Sequence, residues 1–206
     1  MRMMLRQAFI LLILLFLAGI ATAQDAATVV TSARAQVGVT IHYDPAYARI
    51  RYPMGDVPME RCICADVLVR AFRAADIDLQ QRIHDDMRAH FSVYPRAWNL
   101  RGPDSNIDHR RVPNLDTFFR RQGAALPVSA LAQDYDAGDV VSWRLPNGLA
   151  HIGLVSDRLV SDGSKRPLAI HNIGAGTQEE DVLFAWKMVG HFRWKFPVAM
   201  HHASRQ

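Results

Sequence analysis

The chain has 206 residues, a formal charge of +4, and half of its residues are hydrophobic. That length suits one domain with a proper core. No Lys/Arg block or basic stripe interleaved with aromatics runs along it, which argues against a nucleic-acid partner. No internal repeat or low-complexity tract divides it.

The first stretch, MRMMLRQAFILLILLFLAGIATAQ, carries Arg2 and Arg6 ahead of an apolar run from Ala8 to Ile20, then Ala21-Thr22-Ala23. This is the three-part pattern of an export signal with a small-x-small cleavage site. The run is shorter than the ~20 apolar residues a membrane span needs. Residues 1–23 are therefore expected to be removed, leaving a single domain over 24–206 that is periplasmic or secreted and holds no membrane segment. Loss of the two arginines leaves the domain only mildly basic, with at most a weak attraction to anionic surfaces such as cell-wall polymers.

A helix is predicted over Ala26–Val37, capped by Asp25 and stopped by Gly38. Turn-rich sequence follows, with short extended pieces around Ile41–Tyr43 and Ile50–Tyr52. Helices are predicted over Ile63–Ala75 and over Leu79–Phe91, where Ile83, Met87 and Phe91 are spaced by four. The long polar stretch SVYPRAWNLRGPDSNIDHRRVP reads as an irregular, functional loop. A short helix over Asn114–Gln122 comes behind Pro113. From Asp139 the pattern turns to strands: DVVSWRL, LAHIGLVSD and RPLAIHNI, joined by turn signals, read as an antiparallel meander. A last strand is expected over Met188–Trp194. Helices first and strands second predict an α+β fold, with an antiparallel sheet covered on one face by helices.

The only two cysteines are Cys62 and Cys64. A disulfide between them would close a three-residue ring, against ordinary disulfide geometry, and would constrain almost no chain. As a metal clip they supply only two ligands, and no second cysteine pair exists. Cys64 begins the stripe continued by Val67, Leu68, Ala71, Phe72 and Ala75, so its thiol falls where the core-facing side meets the helix N-terminus. Two readings stand there. A free cysteine on an apolar stripe is core packing; a cysteine at a helix N-terminus is a stabilised thiolate, opposed in part by Asp66. His151 opens one strand and His171 ends the next, so an antiparallel pair makes them neighbours. A thiol, a base and a group that orients the base form an activated nucleophile, with His171, or Asn172 in its stead, as the orienter. Taken singly, each histidine reads equally as a strand-end residue bonded to solvent. The cluster Asp108, His109, Arg110 and Arg111 admits three readings: a solvated loop, a substrate wall whose arginines grip carboxylates, or part of a metal site.

The order ICADV at a helix start, GDVVSW, HIGLV and a further histidine resembles the NlpC-type papain-like cysteine peptidases. Longer stretches, among them YPMGDVP, CADVLVRAFR, YPRAWNLRGPDSNIDHRRVPNL, GDVVSWRLPNGLAHIGLVSD, IHNIG and GHFRW, resemble the domain-of-unknown-function 1287 family, a relative of those enzymes. The resemblance implies a papain-like fold and a Cys64–His151–His171 triad that cuts amide bonds in peptidoglycan stem peptides. It further implies Tyr52 as oxyanion donor beside the backbone N–H of Cys64, and no cofactor. Muropeptides are then the partners. The superfamily usually carries Asp-Cys-Ser-Gly at the nucleophile, where this chain has Ile63-Cys64-Ala65-Asp66. Cys62 stands where a small residue is expected and has no assigned role; one hypothesis is that it reversibly caps Cys64. A non-catalytic wall-binding domain on the same fold is the alternative to the enzyme.

Overall fold

The computed structural model describes residues 25–196. The expected export signal and the tail residues His201 and His202 lie outside the described residues. Among the described residues four α-helices precede the main sheet, namely α1 (25–34), α2 (Cys64–Arg73), α3 (Leu79–His90) and α4 (Val112–Arg121). Two short strands, β1 (His42–Tyr43) and β2 (Arg61–Cys62), lie between α1 and α2. The sheet follows: β3 (Val140–Arg144), β4 (Ala150–Leu159), β5 (Pro167–Asn172), β6 (Thr177–Glu180) and β7 (Lys187–Phe192), in spatial order β6-β5-β4-β3-β7. Every neighbour in it is antiparallel. The α+β class and the β3–β4–β5 meander are as the sequence predicts.

Alternation along the strands builds two cores. Ile152 and Leu154 of β4 and Ile170 of β5 face the helices, where Val67, Leu68, Ala71 and Phe72 of α2 are fully buried against them. Burying side chains of this size stabilises by about 1.5–3 kcal/mol each. Phe72 reaches the aromatic cluster of Phe119 and Trp194, with ring centres 6.0 and 6.2 Å away. The opposite face is covered too, which the sequence reading omits. Val141, Trp143, Val155 and Ala169 pack there beneath Leu183 and Tyr135, and Trp143 Nε1 donates to the Leu183 carbonyl at 2.9 Å. The segment linking β6 to β7 thus roofs the second face.

Several elements differ from expectation, among them α2, which ends at Arg73 rather than Ala75, and β7, which ends at Phe192 rather than Trp194. The first helix stops at residue 34 rather than Val37, and the chain turns through Gly38 at φ 77°. The expected extended piece at 50–52 forms no strand; β1 pairs instead in parallel with β2, Tyr43 opposite Cys62. That pairing is set from outside by Arg70 of α2, which donates to Asp56 at 2.9 Å and to the carbonyls of Val57 at 3.0 Å and Arg61 at 3.2 Å. The last helix of the N-terminal half begins at Val112, two residues early, because Pro113 fits the first turn, where its missing N–H costs nothing.

The α2 tip is fixed by a buried ion pair. Asp66 Oδ2 accepts from the Ile63 backbone N–H at 2.9 Å, closing the first turn, while Arg110 clasps both carboxylate oxygens at 2.9 and 3.0 Å. A third contact, Arg110 Nη1 to the Ala46 carbonyl at 3.2 Å, draws in the 44–50 segment. Removing one partner of such a pair strands the other charge away from water, so Arg110→Ala should lower unfolding free energy by about 3–5 kcal/mol in urea titration. A loss below ~1 kcal/mol would show that the clasp is dispensable.

Candidate active site

Cys64 is the first residue of α2, after Ile63 in extended conformation. Its side chain sits at the helix end where backbone N–H groups lack intrahelical partners. The backbone N–H groups of Ile152 on β4 and of Ala65 in its own first turn lie close enough to the Sγ to act on it. Those two donors favour the thiolate, yet burial dominates. The residue is only 4 % exposed, and the loss of solvent pushes the thiol up to about 12, with Asp66 adding in the same direction. At neutral pH the sulfur keeps its proton.

His151 and His171 are joined directly: His151 Nε2 and His171 Nδ1 are 2.9 Å apart. Both are buried. Trp143, cross-strand partner of His151, stacks on its ring at 5.6 Å, and Trp186 closes edge-on over both imidazoles at 5.7 Å. Gly153 makes room for this stack, since a Cβ there would come within 3.1 Å of both His171 Cβ and the Trp143 ring. Burial holds His151 down to about 3, helped by the neighbouring His171, and holds His171 down to about 4. Each ring is therefore neutral at neutral pH, and the shared hydrogen bond leaves Nδ1 of His151 as the nitrogen outside it.

Residues 151, 153 and 155 lie on the Trp143 face, while Ile152 faces α2. Cys64, on the α2 side with Ile152, and the His151 imidazole, on the Trp143 side, therefore flank the start of β4 from opposite faces of the sheet. A cleft of about 320 Å³ opens at that end, lined by His151, Trp186, Leu149, Ile173, Asn147 and Tyr43 among others. Tyr43 links the two sides. Its ring borders the cleft with His151, and its hydroxyl is pushed up to about 12 by burial and by the neighbouring Cys64 and Asp66.

The remaining residues singled out in the sequence go elsewhere. The Tyr52 hydroxyl donates to Asp85 at 3.2 Å and its ring packs edge-on against His84 at 5.0 Å, so it faces α3 rather than the thiol. Tyr43, and not Tyr52, is the tyrosine near Cys64 and the cleft; both precede the cysteine, and only the β1–β2 pairing decides between them. Asp108, His109 and Arg110 are buried and form no exposed wall. Arg110 is committed to Asp66. Burial raises the Asp108 carboxyl to about 6, and burial, with Arg110 adding, lowers His109 to about 3. Arg111 stacks on the exposed ring of Trp98 at 4.3 Å. Among the described residues no group of three or more His, Cys, Asp or Glu side chains is placed to hold a metal.

Asn172 orients neither histidine. Its amide nitrogen lies 3.2 Å from the His42 carbonyl, 3.1 Å from the Cys62 carbonyl and 3.4 Å from Cys62 Sγ. Cys62 is thus a free, fully buried thiol tied to the end of β5, which gives it an anchoring place in the β1–β2 corner. The Gly-Asp ahead of β3 is structural as well. Asp139 accepts from Arg193 at 2.8 Å through two nitrogens and from His191 at 2.8 Å, latching β7 to the start of β3.

Residues 30–194 match a family described as a domain of unknown function, DUF1287. The chain is 60% identical over 162 residues to the uncharacterized protein YijF of Escherichia coli (strain K12), covering 79% of this chain and 78% of that one. No solved structure matches the chain. The chain belongs to the domain-of-unknown-function 1287 family.

Proposed function

We propose that this chain is an exported thiol-dependent amide hydrolase on a papain-like fold of the NlpC type, acting on peptidoglycan stem peptides. The observation that carries the reading is the Trp-shielded hydrogen bond between His151 Nε2 and His171 Nδ1, at the strand end beside the α2 tip that bears Cys64. A neutral, oriented imidazole with one nitrogen left over is the form a general base needs. The export pattern of residues 1–23 supports a periplasmic or secreted setting, where peptidoglycan is at hand.

In the reaction, Cys64 Sγ attacks the amide carbonyl while its proton passes to Nδ1 of His151. His151 then gives that proton to the departing amine, and the C–N bond breaks to leave a thioester on Cys64. Water, deprotonated by His151, attacks the thioester, releasing the acid and restoring the thiol. The tetrahedral oxyanion falls near the first-turn N–H groups of α2, with Tyr43 as the side-chain donor in place of Tyr52. Because thiol and imidazole both rest neutral, the proton leaves Cys64 only as its sulfur attacks the carbonyl.

Cys64→Ala should abolish muropeptide release from purified sacculi with the circular dichroism unchanged. His151→Ala should lower kcat/KM by about 100-fold or more. Release undiminished in Cys64→Ala removes the thiol from the mechanism.

A second reading, a non-catalytic wall-binding domain, is favoured by one observation: Cys64 is nearly sealed and its thiol is raised. Alkylation of the native protein, followed at Cys64 by peptide mass, separates the two. Below the thiol pKa the rate should climb about tenfold per pH unit from pH 6 to 10, tracking the thiolate fraction. A plateau beginning below pH 6 would contradict the neutral resting pair. Labelling that occurs only after denaturation would support the binding domain.

A further inference from the structure

His171 Nε2 is a buried nitrogen without a hydrogen-bond partner. Its surroundings are His151 on the other ring nitrogen, the rings of Trp143 and Trp186, and one charge: the Glu180 carboxylate, whose Oε1 lies 3.4 Å from it. The register explains the approach. In the β5–β6 pair His171 stands opposite Gln178 and Ala169 opposite Glu180, so Glu180 is the diagonal neighbour of His171 on the same face. Gln178, directly opposite, is turned away and donates to the Ala175 carbonyl at 3.1 Å. The Glu180 side chain is 44 % exposed and makes no other ion pair or side-chain hydrogen bond among the described residues.

Two neutral imidazoles that share one hydrogen bond have two arrangements. In the first, His151 Nε2–H donates to His171 Nδ1; His171 then carries its proton on Nε2, and His151 has its lone pair on Nδ1. In the second the bond is reversed. His171 then turns a bare lone pair toward Glu180, and Nδ1 of His151 holds a proton and cannot accept another. A carboxylate 3.4 Å from Nε2 repels a lone pair there and attracts an N–H.

We propose that Glu180 is the outermost positioning residue of the imidazole pair: its carboxylate keeps the His171 proton on Nε2, and through the His171–His151 bond this leaves Nδ1 of His151 free to accept a proton. The chain of influence runs Glu180 to His171 to His151, and its product is the tautomer of a residue that Glu180 does not touch. Its importance for catalysis rests on the reading of His151 as the base; the tautomer assignment does not.

Long-range proton–nitrogen correlation spectra of the full chain, with ¹⁵N-labelled histidine at neutral pH, read the tautomers directly. The wild type should show protonated Nε2 and bare Nδ1 on both His151 and His171. Glu180→Ala should move both rings together to mixed tautomers, and so should Glu180→Gln, whose neutral amide can accept from Nε2–H or donate to a bare Nε2. Glu180 lies exposed at the end of a strand, so these variants should keep the wild-type fold, checked by circular dichroism. A wild type with His171 protonated on Nδ1, or tautomers unmoved in Glu180→Ala, overturns the proposal. If sacculi are digested, Glu180→Ala and Glu180→Gln should both lower kcat, Glu180→Ala roughly 10–100-fold, with little change in KM, as for other outer partners that orient a histidine. An unchanged kcat despite moved tautomers would sink His151 as the base while leaving the role of Glu180 intact.

Discussion

Asp66 accepts at once from the backbone of Ile63 and from both arms of Arg110, and much of the molecule follows from that double hold. It closes the first turn of α2 and so sets where the Cys64 sulfur points. It anchors the far end of the long 92–111 stretch, which otherwise crosses the surface with little regular structure. Through Arg110 it also reaches Ala46, pulling the segment after β1 against the same helix tip. The third position of α2 thus carries a charge, and the arginine that balances it belongs to a loop distant in sequence.

Around that fixed tip the site is electrically quiet. The thiol holds its proton and the imidazoles hold none to spare, because burial disfavours the charged form of each. The aromatic lid of Trp143 and Trp186 keeps it so, and the cleft at its mouth is bordered by Leu149 and Ile173 rather than by arginines. A molecule entering this opening would meet shape and apolar contact first. The arginines that looked suited to gripping carboxylates are occupied inside the protein or stacked on Trp98.

The sequence made legible whatever is carried by local periodicity. The apolar stripe of α2, the alternation of β3 to β5 and the adjacency of His151 and His171 all follow from spacings of 3.6 and 2 along one segment. What escaped depends on partners distant in the chain. β2 is two residues long and exists because β1 pairs with it and Arg70 holds it. β6 reads Thr-Gln-Glu-Glu, with no apolar alternation to betray a strand. Tyr43 and Tyr52 are alike in sequence, and a corner made of β1, β2 and Asn172 brings only the first to the cleft. Arg110 and Arg111 sit side by side in the sequence, but one is clasped by a buried carboxylate and the other lies under an indole. Polar residues in a loop look solvated until the group that buries them is known.

One consequence of β6 concerns association between molecules. A sheet has two outer strands, and each presents backbone groups that another chain could pair with. β7 is shielded on its outer side, where Ala125 bridges Phe192 and the Leu126 N–H donates to the His191 carbonyl. β6 is the barer margin, touched by Thr40 only at its first residue. It spans only four residues and ends in the exposed carboxylate of Glu180, Glu179 being paired with Arg34 and Arg158, so its shortness and that one charge disfavour stacking of one molecule's margin on another's. The strand that carries the outermost acid of the imidazole pair thus also discourages fibrous self-assembly, and loss of that charge would weaken that protection.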